Sequence, residues 1–348
     1  MYESAYHTED ISQSSFLVTG GAGFIGSNIV EYLVKHRADS IRILDNLSTG
    51  FKHNITPFLS LPNVEFIEGD IVDAAQCLQA CRGIDYVMHQ AALGSVPRSI
   101  KDPIATNQNN VVGFLNMLVA AKETGVKRLV YASSSSVYGD SPMLPKTEDA
   151  IGNPLSPYAV SKYVNELYAN VFVRCYNLEI IGLRYFNVFG PKQSPQGAYA
   201  AVIPLFMKGM LTHTAHPIHG DGSQTRDFTF VENAVQANIK AIFTQHKDAL
   251  SNVFNIACGD RTSVNQLFLL LKEISVSSLE PIYCPERPGD IKDSLADITN
   301  AQQMLGYNPQ IKISEGLKIT FDWFREDWKK DFLWNADNTD INNADKHE

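Results

Sequence analysis

Cysteine is scarce in this chain, and no two cysteines have the CxxC spacing of common zinc and redox sites. The five cysteines, an odd number, are Cys77, Cys81, Cys175, Cys258 and Cys284. Cys77 and Cys81 lie four residues apart on a predicted helix, a spacing that suits zinc poorly. We therefore predict reduced, buried thiols, no structural metal site and a cytoplasmic protein.

Long apolar runs and a surplus of positive charge are also missing. No segment approaches the ~18 apolar residues of a membrane helix, and the polar N-terminus has no signal-peptide pattern. The formal net charge is −9, which argues against nucleic acid as a partner because phosphate binding requires clustered lysine and arginine. Small anionic ligands remain compatible, since an acidic protein can carry a basic site.

Repeats and low-complexity linkers are absent from the body of the chain. Residues 1–14 are polar and aperiodic, which predicts a flexible arm. Residues 335–348 are rich in Asn and Asp, which predicts a flexible tail. The apolar fraction of 44% is ordinary for a soluble protein and predicts a large buried core.

Short β-branched runs alternate with helical stretches in the first half of the chain. The pattern predicts strands over 16–19, 41–45, 64–67, 85–89, 128–132 and 179–185, and helices over 24–36, 111–122 and 161–176. Strands that alternate with helices form parallel βαβ units. The predicted fold is therefore α/β, with a Rossmann-type doubly wound parallel sheet over residues 15–190.

The pattern changes after about residue 190, where Pro, Gly and His become more frequent. We predict a smaller, mixed α/β lobe over residues 191–330 that binds the substrate. Residues 228–244 and 252–256 are interpreted as later segments that return to the first sheet, so the predicted boundary is not sharp.

A glycine-rich segment, 19–26 (TGGAGFIG), follows the first predicted strand and opens the first helix. It satisfies GxGxxG at Gly21, Gly23 and Gly26, and GxxGxxG if Gly20 is counted first. Glycine is required because the chain turns tightly there and a pyrophosphate approaches the backbone closely, facing the N–H groups of the helix N-terminus. The context predicts a dinucleotide site.

Asp45, at the end of the second predicted strand, indicates which dinucleotide is bound. A carboxylate accepts hydrogen bonds from the adenosine ribose and repels a 2′-phosphate. Asn46, Leu47 and Ser48 follow it and no arginine does, so we predict NAD rather than NADP. Asp70 and Ile71, after the third strand, could bracket the adenine, although Asp70 could equally be a turn residue.

Tyr158 and Lys162 form a YxxxK element after Pro157, and four residues on a helix place both side chains on one face. An unperturbed tyrosine has a pKa of about 10. Lowering it to about 7 requires about 4 kcal/mol. One cation about 4 Å away supplies about that much at an effective dielectric constant of about 20. Lys162 and an oxidised nicotinamide are both cations, so Tyr158 is a candidate base.

The fifth predicted strand ends in a run of hydroxyls, ASSSSVYG over 132–139. Side chains at the carboxyl edge of a parallel strand face the ligand crevice. A serine run alone is usually a loop, and YxxxK alone is frequent by chance. Combined with the glycine-rich loop, the two motifs predict hydroxyl groups that bind a reacting substrate.

Together these motifs resemble those of the extended short-chain dehydrogenase/reductase family, over about residues 15–330. Within it the chain is similar to UDP-hexose 4-epimerases, and most to the bacterial enzymes acting on UDP-N-acetylglucosamine. The segments that carry the resemblance are HQAALGSVPRS over 89–99, LSPYAVSK over 155–162, LRYFNVFG over 183–190 and RPGD over 287–290.

The resemblance implies a role for each matched residue. Tyr158 would be the base, Lys162 its electrostatic partner and ribose ligand, and Ser134 the second hydroxyl at the sugar O4. The implied NAD site comprises Gly20, Gly23, Phe24, Ile25, Gly26, Asp45, Asn46, Asp70, Ile71, Gln90, Ala91, Ala92, Asn109, Tyr158, Lys162 and Tyr185.

The implied reaction inverts C4 of the sugar. The base takes the C4 hydroxyl proton, C4 gives hydride to NAD⁺, the 4-keto sugar turns over, and hydride returns to the opposite face. Related dehydratases and decarboxylases carry acidic residues where this chain has Ser135 and Ser136. That departure favours epimerisation over elimination. The resemblance also implies a homodimer, formed through helices 111–122 and 161–176.

The implied substrate site comprises Ser95, Ser134, Ser135, Tyr158, Asn187, Ala201, Val202, Arg226, Arg287, Asp290 and Ser294. Arg226 and Arg287 suit a diphosphate because guanidinium groups bind phosphate oxygens in a bidentate fork. The alternative for each arginine is a surface salt bridge. Loop structure explains Ser95 nearly as well as a pocket does.

Ser294 aligns where galactose-type epimerases carry a bulky tyrosine, and its small side chain favours a 2-acetamido sugar. UDP-N-acetylglucosamine or UDP-N-acetylgalactosamine is the first expectation. The alternatives are UDP-glucuronate, UDP-N-acetylglucosaminuronate, a dehydratase or net oxidoreductase acting on a nucleotide sugar, and a non-catalytic NAD-binding regulator.

Overall fold

The computed structural model describes residues 1–195, 201–286 and 292–341, with the backbone alone from residue 328 onwards. The strands are β1 Ser15–Thr19, β2 Ser40–Asp45, β3 Val64–Glu68, β4 Tyr86–His89, β5 Arg128–Ser134, β6 Glu179–Tyr185, β7 Val188–Phe189, β8 Ile218–His219, β9 Thr225–Arg226, β10 Thr229–Phe230, β11 Val253–Ile256, β12 Thr262–Ser263 and β13 Tyr283–Cys284.

The α-helices are α1 Phe24–Lys35, α2 Ala74–Cys81, α3 Val96–Lys101, α4 Pro103–Asn107, α5 Gly113–Thr124, α6 Pro157–Tyr176, α7 Val202–Thr212, α8 Val231–Phe243, α9 Val264–Ser275 and α10 Ile313–Ile341. A π-helical turn, Gln108–Val112, leads directly into α5. None of the helices in the described ranges is long and apolar enough to span a bilayer.

Seven parallel strands form the central sheet, in the order β11-β6-β5-β4-β1-β2-β3. Strands β2 and β3 follow β1 in order on one side of the sheet, and β4 lies next to β1 on its other side. The strand order therefore reverses between β1 and β4, and the crevice at their carboxyl ends is where such sheets bind ligands. The predicted α/β fold with a Rossmann-type sheet is confirmed.

Both faces of the sheet are covered, which explains the continuous apolar runs of its strands. Phe16 and Val18 of β1 are buried in one core, with residues of α1 and α8. Leu17, between them, is buried in the other core, with residues of α2, α5 and α6. The alternation follows from the two-residue period of a strand, and the sheet is thereby fixed between two helical layers.

Three short two-stranded pairs and three helices make up the second lobe. Strand β7 pairs with β10 and β8 with β13 in parallel, whereas β9 pairs with β12 antiparallel. Phe206 of α7, Phe268 of α9 and Phe321 of α10 meet in one apolar cluster. This lobe is mixed α/β, as the sequence predicts.

The segment over 228–257 contributes to both lobes. Val253–Ile256 forms β11, which adds to the edge of the main sheet beside β6. Residues 228–244 form β10 and helix α8 instead of a strand of that sheet. Helix α8 packs against α1, β5 and β6.

The expectation of a flexible arm over residues 1–14 is wrong for its first residues. Tyr2 is fully buried, its backbone N–H donates to Glu232 at 2.9 Å, and its hydroxyl donates to Asn28 at 2.7 Å. Tyr6 stacks on Tyr32 with ring centroids 5.3 Å apart. These aromatic rings fix the arm against α1 and α8, although its composition is polar.

The segment predicted to be a flexible tail begins within a helix. Helix α10 continues to Ile341, through the first residues of the segment over 335–348. Asn and Asp lower helix propensity without preventing an established helix from continuing. Residues 342–348 lie outside the described part of the chain. The expected buried thiols hold for Cys77, Cys81 and Cys258, whereas Cys175 is exposed and Cys284 is half-buried.

Candidate active site

A cavity of about 570 Å³ lies at the carboxyl edge of the main sheet, where the strand order reverses. We call it the first cavity. Most of the residues predicted to bind NAD or the sugar line it: Gly20, Gly23, Phe24, Ile25, Gly26, Asp45, Asn46, Ile71, Gln90, Ala91, Ala92, Asn109, Ser134, Ser135, Tyr158, Lys162, Tyr185 and Asn187. The fold therefore brings together motifs that are up to 167 residues apart (187 − 20 in the sequence numbering).

The glycine-rich loop forms one wall of the first cavity. Gly20 has a φ of 66°, and a Cβ there would lie 2.7 Å from the backbone nitrogen of Ala91. A Cβ on Gly26 would lie 2.1 Å from the carbonyl oxygen of Gly20. Helix α1 begins at Phe24, and no side chain caps its N-terminus. The close approach and the uncapped helix end fit the pyrophosphate of a dinucleotide.

Asp45 is fixed at the end of β2 by backbone donors. Its carboxylate accepts from the N–H of Ala22 at 2.9 Å and of Leu47 at 2.8 Å. Burial raises the pKa of Asp45, and these backbone hydrogen bonds oppose the rise. Among the described lining residues no arginine lies in the first cavity. The residues present fit the ribose of NAD better than a 2′-phosphate.

Asp70 does not line the first cavity, although Ile71 does. Its carboxylate accepts from the side-chain amide of Asn46 at 2.9 Å and from the N–H of Val72 at 2.9 Å. These are the contacts of a turn residue that orients Asn46, which itself lines the cavity.

Tyr158 and Lys162, the predicted catalytic pair, lie in the first two turns of α6. The Ser156 hydroxyl accepts from the N–H of Ala159 at 3.1 Å, and Pro157 occupies the first helical position, so the helix begins four residues before the predicted start. Lys162 is 2% exposed, and its ammonium nitrogen lies 5.9 Å from the Tyr158 ring centroid. The ammonium donates to the carbonyl of Ala132 at 2.8 Å.

The ionisation of this pair reflects its burial. Burial raises the pKa of Tyr158, and a side-chain hydrogen bond with Ser134 lowers it. Burial lowers the pKa of Lys162 to about 8, against the attraction of Glu166. The ammonium form of Lys162 therefore predominates at pH 7. In the protein alone Tyr158 stays a neutral phenol, and the net lowering expected from the sequence is not present.

A buried ion pair that the sequence analysis does not identify lies directly behind Lys162. The Glu166 carboxylate accepts from the Ser133 hydroxyl at 2.6 Å and from two guanidinium nitrogens of Arg184 at 2.8 and 2.9 Å. Ser133 and Arg184 face each other in the register of β5 and β6. The signal for this pair was the spacing Tyr158, Lys162, Glu166, which repeats every four residues along one helix face.

Three polar side chains form a closed set beneath the predicted nicotinamide end. The Tyr185 hydroxyl donates to the Gln90 carbonyl at 3.2 Å and accepts from the Asn238 amide at 2.7 Å. The Gln90 amide donates to Asn238 at 3.0 Å. Each of the three side chains is hydrogen-bonded to the other two. The side chains of Tyr185 and Gln90, which line the first cavity, are therefore fixed in orientation.

A second cavity, of about 270 Å³, adjoins the first. Asn187 lines both cavities and has a φ of 35°. The predicted residues Ala201, Val202 and Arg226 also line the second cavity. The sequence analysis missed its other polar residues, Gln193, His216, His219 and Gln224. Their signal was weak, because single His and Gln residues in a loop-rich region are common.

Two predicted substrate residues lie outside both cavities. The Ser95 hydroxyl caps α3 by accepting from the N–H of Arg98 at 3.2 Å, which is a structural role. The backbone N–H of Ser294 donates to the carbonyl of Thr225 at 3.2 Å, one residue from Arg226. Arg287 and Asp290 lie outside the described residues. In the first cavity, sequence reasoning missed Ser48, Thr49 and Gly50, which directly follow the Asp45 turn.

The fold, the glycine-rich loop and Asp45 define an NAD-binding protein of the extended short-chain dehydrogenase/reductase class. The chain belongs to the NAD dependent epimerase/dehydratase family, whose model matches residues 16–257. The predicted family and the predicted cofactor, NAD, are thereby confirmed.

Three similar proteins illustrate the range of the family. A putative UDP-glucose 4-epimerase of Methanocaldococcus jannaschii is 39% identical over 310 residues, covering 89% of this chain and 98% of that protein. The UDP-N-acetylglucosamine 4-epimerase of Methanobrevibacter ruminantium, solved with UDP-N-acetylmuramic acid, is 39% identical with a TM-score of 0.86, covering 90% and 99%. The UDP-glucose 4-epimerase of Thermus thermophilus, solved with NAD, is 33% identical with a TM-score of 0.79, covering 89% and 98%.

Proposed function

We propose that the protein interconverts UDP-sugars that are epimeric at C4, and that its substrate is UDP-N-acetylglucosamine or UDP-N-acetylgalactosamine. One observation carries the proposal. Tyr158, hydrogen-bonded to Ser134 and backed by buried Lys162, faces a cavity that fits NAD and that continues past Asn187 into a second cavity. The names of the similar proteins support a UDP-sugar as the substrate.

The chain's own residues handle the proton in this mechanism. Tyr158 accepts the proton of the C4 hydroxyl and returns it after the sugar has turned. Ser134 holds the oxygen at C4 through the hydroxyl that also contacts Tyr158. Lys162 keeps a positive charge beside the phenol and favours its ionised form. Bound NAD supplies the hydride acceptor and donor at C4, and its oxidised ring adds a second positive charge.

The carboxylates of the site favour epimerisation over dehydration. Asp45 is the only carboxylate among the described residues lining the first cavity, and it lies at the adenosine end. Glu166 is near the catalytic strand, but its oxygens are held by Ser133 and Arg184. An elimination needs a further acid or base at the reacting carbons, and the described residues lining the first cavity offer only Tyr158 and Lys162 besides Asp45.

Two features support the N-acetylated sugar. Ser294 has a small side chain and lines neither cavity, but its backbone N–H donates to Thr225, whose neighbour Arg226 lines the second cavity. A 39%-identical relative of known structure is a UDP-N-acetylglucosamine 4-epimerase. The second candidate substrate is UDP-glucose, favoured by the name of the Methanocaldococcus relative.

The test is a direct comparison of substrates. Purified protein is incubated with UDP-GlcNAc, UDP-Glc, UDP-GlcA and UDP-GlcNAcA, and the products are identified by NMR. C4 epimers, with the highest kcat/KM for UDP-GlcNAc, would support the proposal. A product that has lost water, or stoichiometric NADH release, would contradict it.

We also propose a homodimer, formed through α5 and α6. These helices carry an exposed apolar face: Val119, Val160, Leu167, Val171 and Tyr176 have exposed fractions of 44 to 51%. Apolar patches of this kind are typical of protein interfaces. The face lies on the helical layer away from the glycine-rich loop, so pairing would leave the first cavity open.

A further inference from the structure

The second lobe contains a cysteine–histidine pair beside the second cavity. Cys284 and His219 stand opposite each other in the parallel pairing of β13 and β8. Two backbone hydrogen bonds fix this register: Gly220 N–H to the carbonyl of Cys284 at 2.8 Å, and Ile218 N–H to the carbonyl of Ile282 at 2.7 Å. The two side chains are therefore held together by the backbone.

The hydrogen bonds of His219 determine the role of the sulfur. Its Nδ1 lies 3.1 Å from the Cys284 sulfur and 3.2 Å from the carbonyl oxygen of Pro285. The Pro285 carbonyl can accept a hydrogen bond from His219 only in the tautomer that carries the proton on Nδ1, and the proposal below concerns that tautomer. The sulfur at the same nitrogen is then also an acceptor. A hydrogen bond donated to sulfur stabilises the negative charge that sulfur carries as the attacking nucleophile in a disulfide exchange.

The pair also stands next to a binding space. His219 lines the second cavity together with Arg226, Phe228 and Val202, whereas Cys284, which contacts His219, is half-buried and does not line the cavity. A group attached to the sulfur would displace the His219 ring from its hydrogen bond and crowd this wall of the cavity. Whatever binds the cavity would in turn shield the sulfur.

We propose that Cys284, activated by His219, is a thiol-modification site that takes small disulfides of the oxidised-glutathione class and thereby closes the second cavity. The thiolate attacks one sulfur of the glutathione disulfide, a new sulfur–sulfur bond forms at Cys284, and the original disulfide bond breaks. The Cys284 sulfur is oxidised and the departing glutathione sulfur is reduced, leaving as a thiolate that takes a proton from water. Excess reduced thiol reverses the exchange. The expected reactivity of Cys284 is argued from the geometry alone. The expectation that its modification lowers epimerase activity rests on the proposed function.

The other cysteines provide internal controls. Cys77, Cys81 and Cys258 are buried, and burial raises the pKa of each thiol, to about 12, about 12 and about 11. Cys175 is exposed on α6, and in the described ranges no hydrogen bond joins it to a histidine. If accessibility alone decided the rate, Cys175 would be the most reactive thiol. If the histidine contact decides it, Cys284 is the most reactive.

The experiment measures where and how fast the protein reacts with oxidised glutathione. Peptide mass spectrometry follows the adducts in the wild type and in His219→Phe, which keeps a ring and removes the Nδ1 donor. We expect Cys284 to react about tenfold faster than Cys175, and His219→Phe to abolish that advantage. Equal or faster reaction at Cys175, or an unchanged rate at Cys284 in His219→Phe, would overturn the proposal.

A second arm tests the coupling to the cavity. UDP is added as the probe, and its binding is measured by calorimetry. We expect UDP to slow the modification of Cys284 and not that of Cys175, and the Cys284 adduct to bind UDP at least about tenfold more weakly. The Cys284→Ser variant has no sulfur at this position, so treatment with oxidised glutathione should leave its activity and its UDP binding unchanged. Bound UDP without protection of Cys284 would overturn the coupling.

Preferential modification of Cys284 in a protein that epimerises none of the four sugars would contradict the proposed function alone.

Discussion

The hydroxyl of Ser133 donates a hydrogen bond of 2.6 Å to the carboxylate of Glu166. Ser133 precedes the predicted catalytic hydroxyl of Ser134 on β5, and Glu166 is one turn beyond Lys162 on α6. The bond therefore joins the strand and the helix that carry the three side chains proposed to act in catalysis. Arg184 of β6 completes the set by pairing with the same carboxylate at 2.8 Å.

Glu166→Gln should move the alkaline limb of the pH–rate profile. The pKa of Lys162 is about 8, because burial lowers it and Glu166 opposes the fall. Removing that negative charge lowers the pKa further, so the ammonium and the activity are lost about one pH unit earlier as pH rises. The measurement is kcat/KM from pH 6 to pH 10.

Ser133→Ala is the matched control, because it removes one hydrogen bond to Glu166 and leaves its charge in place. Its alkaline limb should stay near that of the wild type. Glu166→Gln also leaves Arg184 buried without its ion partner, which costs about 3 to 5 kcal/mol of unfolding free energy. A folded Glu166→Gln protein with an unshifted profile would show that Glu166 has no influence on Lys162.

Acid stability should depend on His89, which is 2% exposed beneath the site, with its Nδ1 2.8 Å from the Thr19 hydroxyl. Burial lowers the pKa of His89 to about 3. The unfolded chain takes up a proton below about pH 6.5 and the folded chain does not, so stability falls from pH 6.5 down towards pH 3. By pH 5 this loss amounts to about 2 kcal/mol.

Urea denaturation at pH 7 and pH 5 checks this prediction. His89→Gln has no titrating ring and should lose about 2 kcal/mol less than the wild type between the two values. An equal loss in both proteins would mean that other groups account for the acid sensitivity.

Ser294→Tyr should discriminate between sugars if Ser294 controls the space for the 2-acetamido group. We expect kcat/KM for UDP-GlcNAc to fall by at least about tenfold, with a much smaller change for UDP-Glc. Ser294→Ala is the control and should change neither value greatly, because its side chain is also small. Equal loss on both sugars would refute a selective role for this position.

Charge on the apolar face of α6 should dissociate the proposed dimer. Leu167→Asp would place a carboxylate in the interface, where its desolvation is costly. Light scattering after size exclusion should report a dimer for the wild type and a monomer for the variant. Leu269→Asp is the matched control, since Leu269 is equally apolar and 61% exposed, but lies on α9. A monomeric wild type, or a dimeric Leu167→Asp protein, would contradict the prediction.

Local sequence signals predicted the main sheet and the cofactor site well. Strand β6 begins and ends at the predicted residues, Glu179 and Tyr185, since Ile180 and Ile181 favour a strand and Asn177 and Asn187 lie just outside it. The glycine-rich loop lies where it was expected, since its function needs glycine at fixed spacing. Helix α6 begins earlier than predicted because Ser156 and Pro157 act as start signals that the apolar periodicity alone does not reveal.

Features that depend on distant partners could not be predicted. Tyr2 is buried by contacts with Asn28 and Glu232, which are far from it in the sequence. Its spacing places Glu166 on the helix face of Tyr158 and Lys162, but only the register of β5 against β6 places Ser133 and Arg184 around it. The second cavity likewise combines residues from several short segments, whose single His and Gln side chains carry no motif.

The most direct test of the central claim follows the hydrogen at C4. UDP-GlcNAc deuterated at C4 is incubated with the wild type and with Tyr158→Phe, which keeps the ring and removes the hydroxyl, and products are read by NMR. The wild type should give the C4 epimer with deuterium still at C4, because the hydride leaves and returns without exchange with water. Tyr158→Phe should give no epimer while retaining NAD. Loss of the deuterium to solvent, or full turnover by Tyr158→Phe, would contradict oxidation and reduction at C4 with Tyr158 as the base.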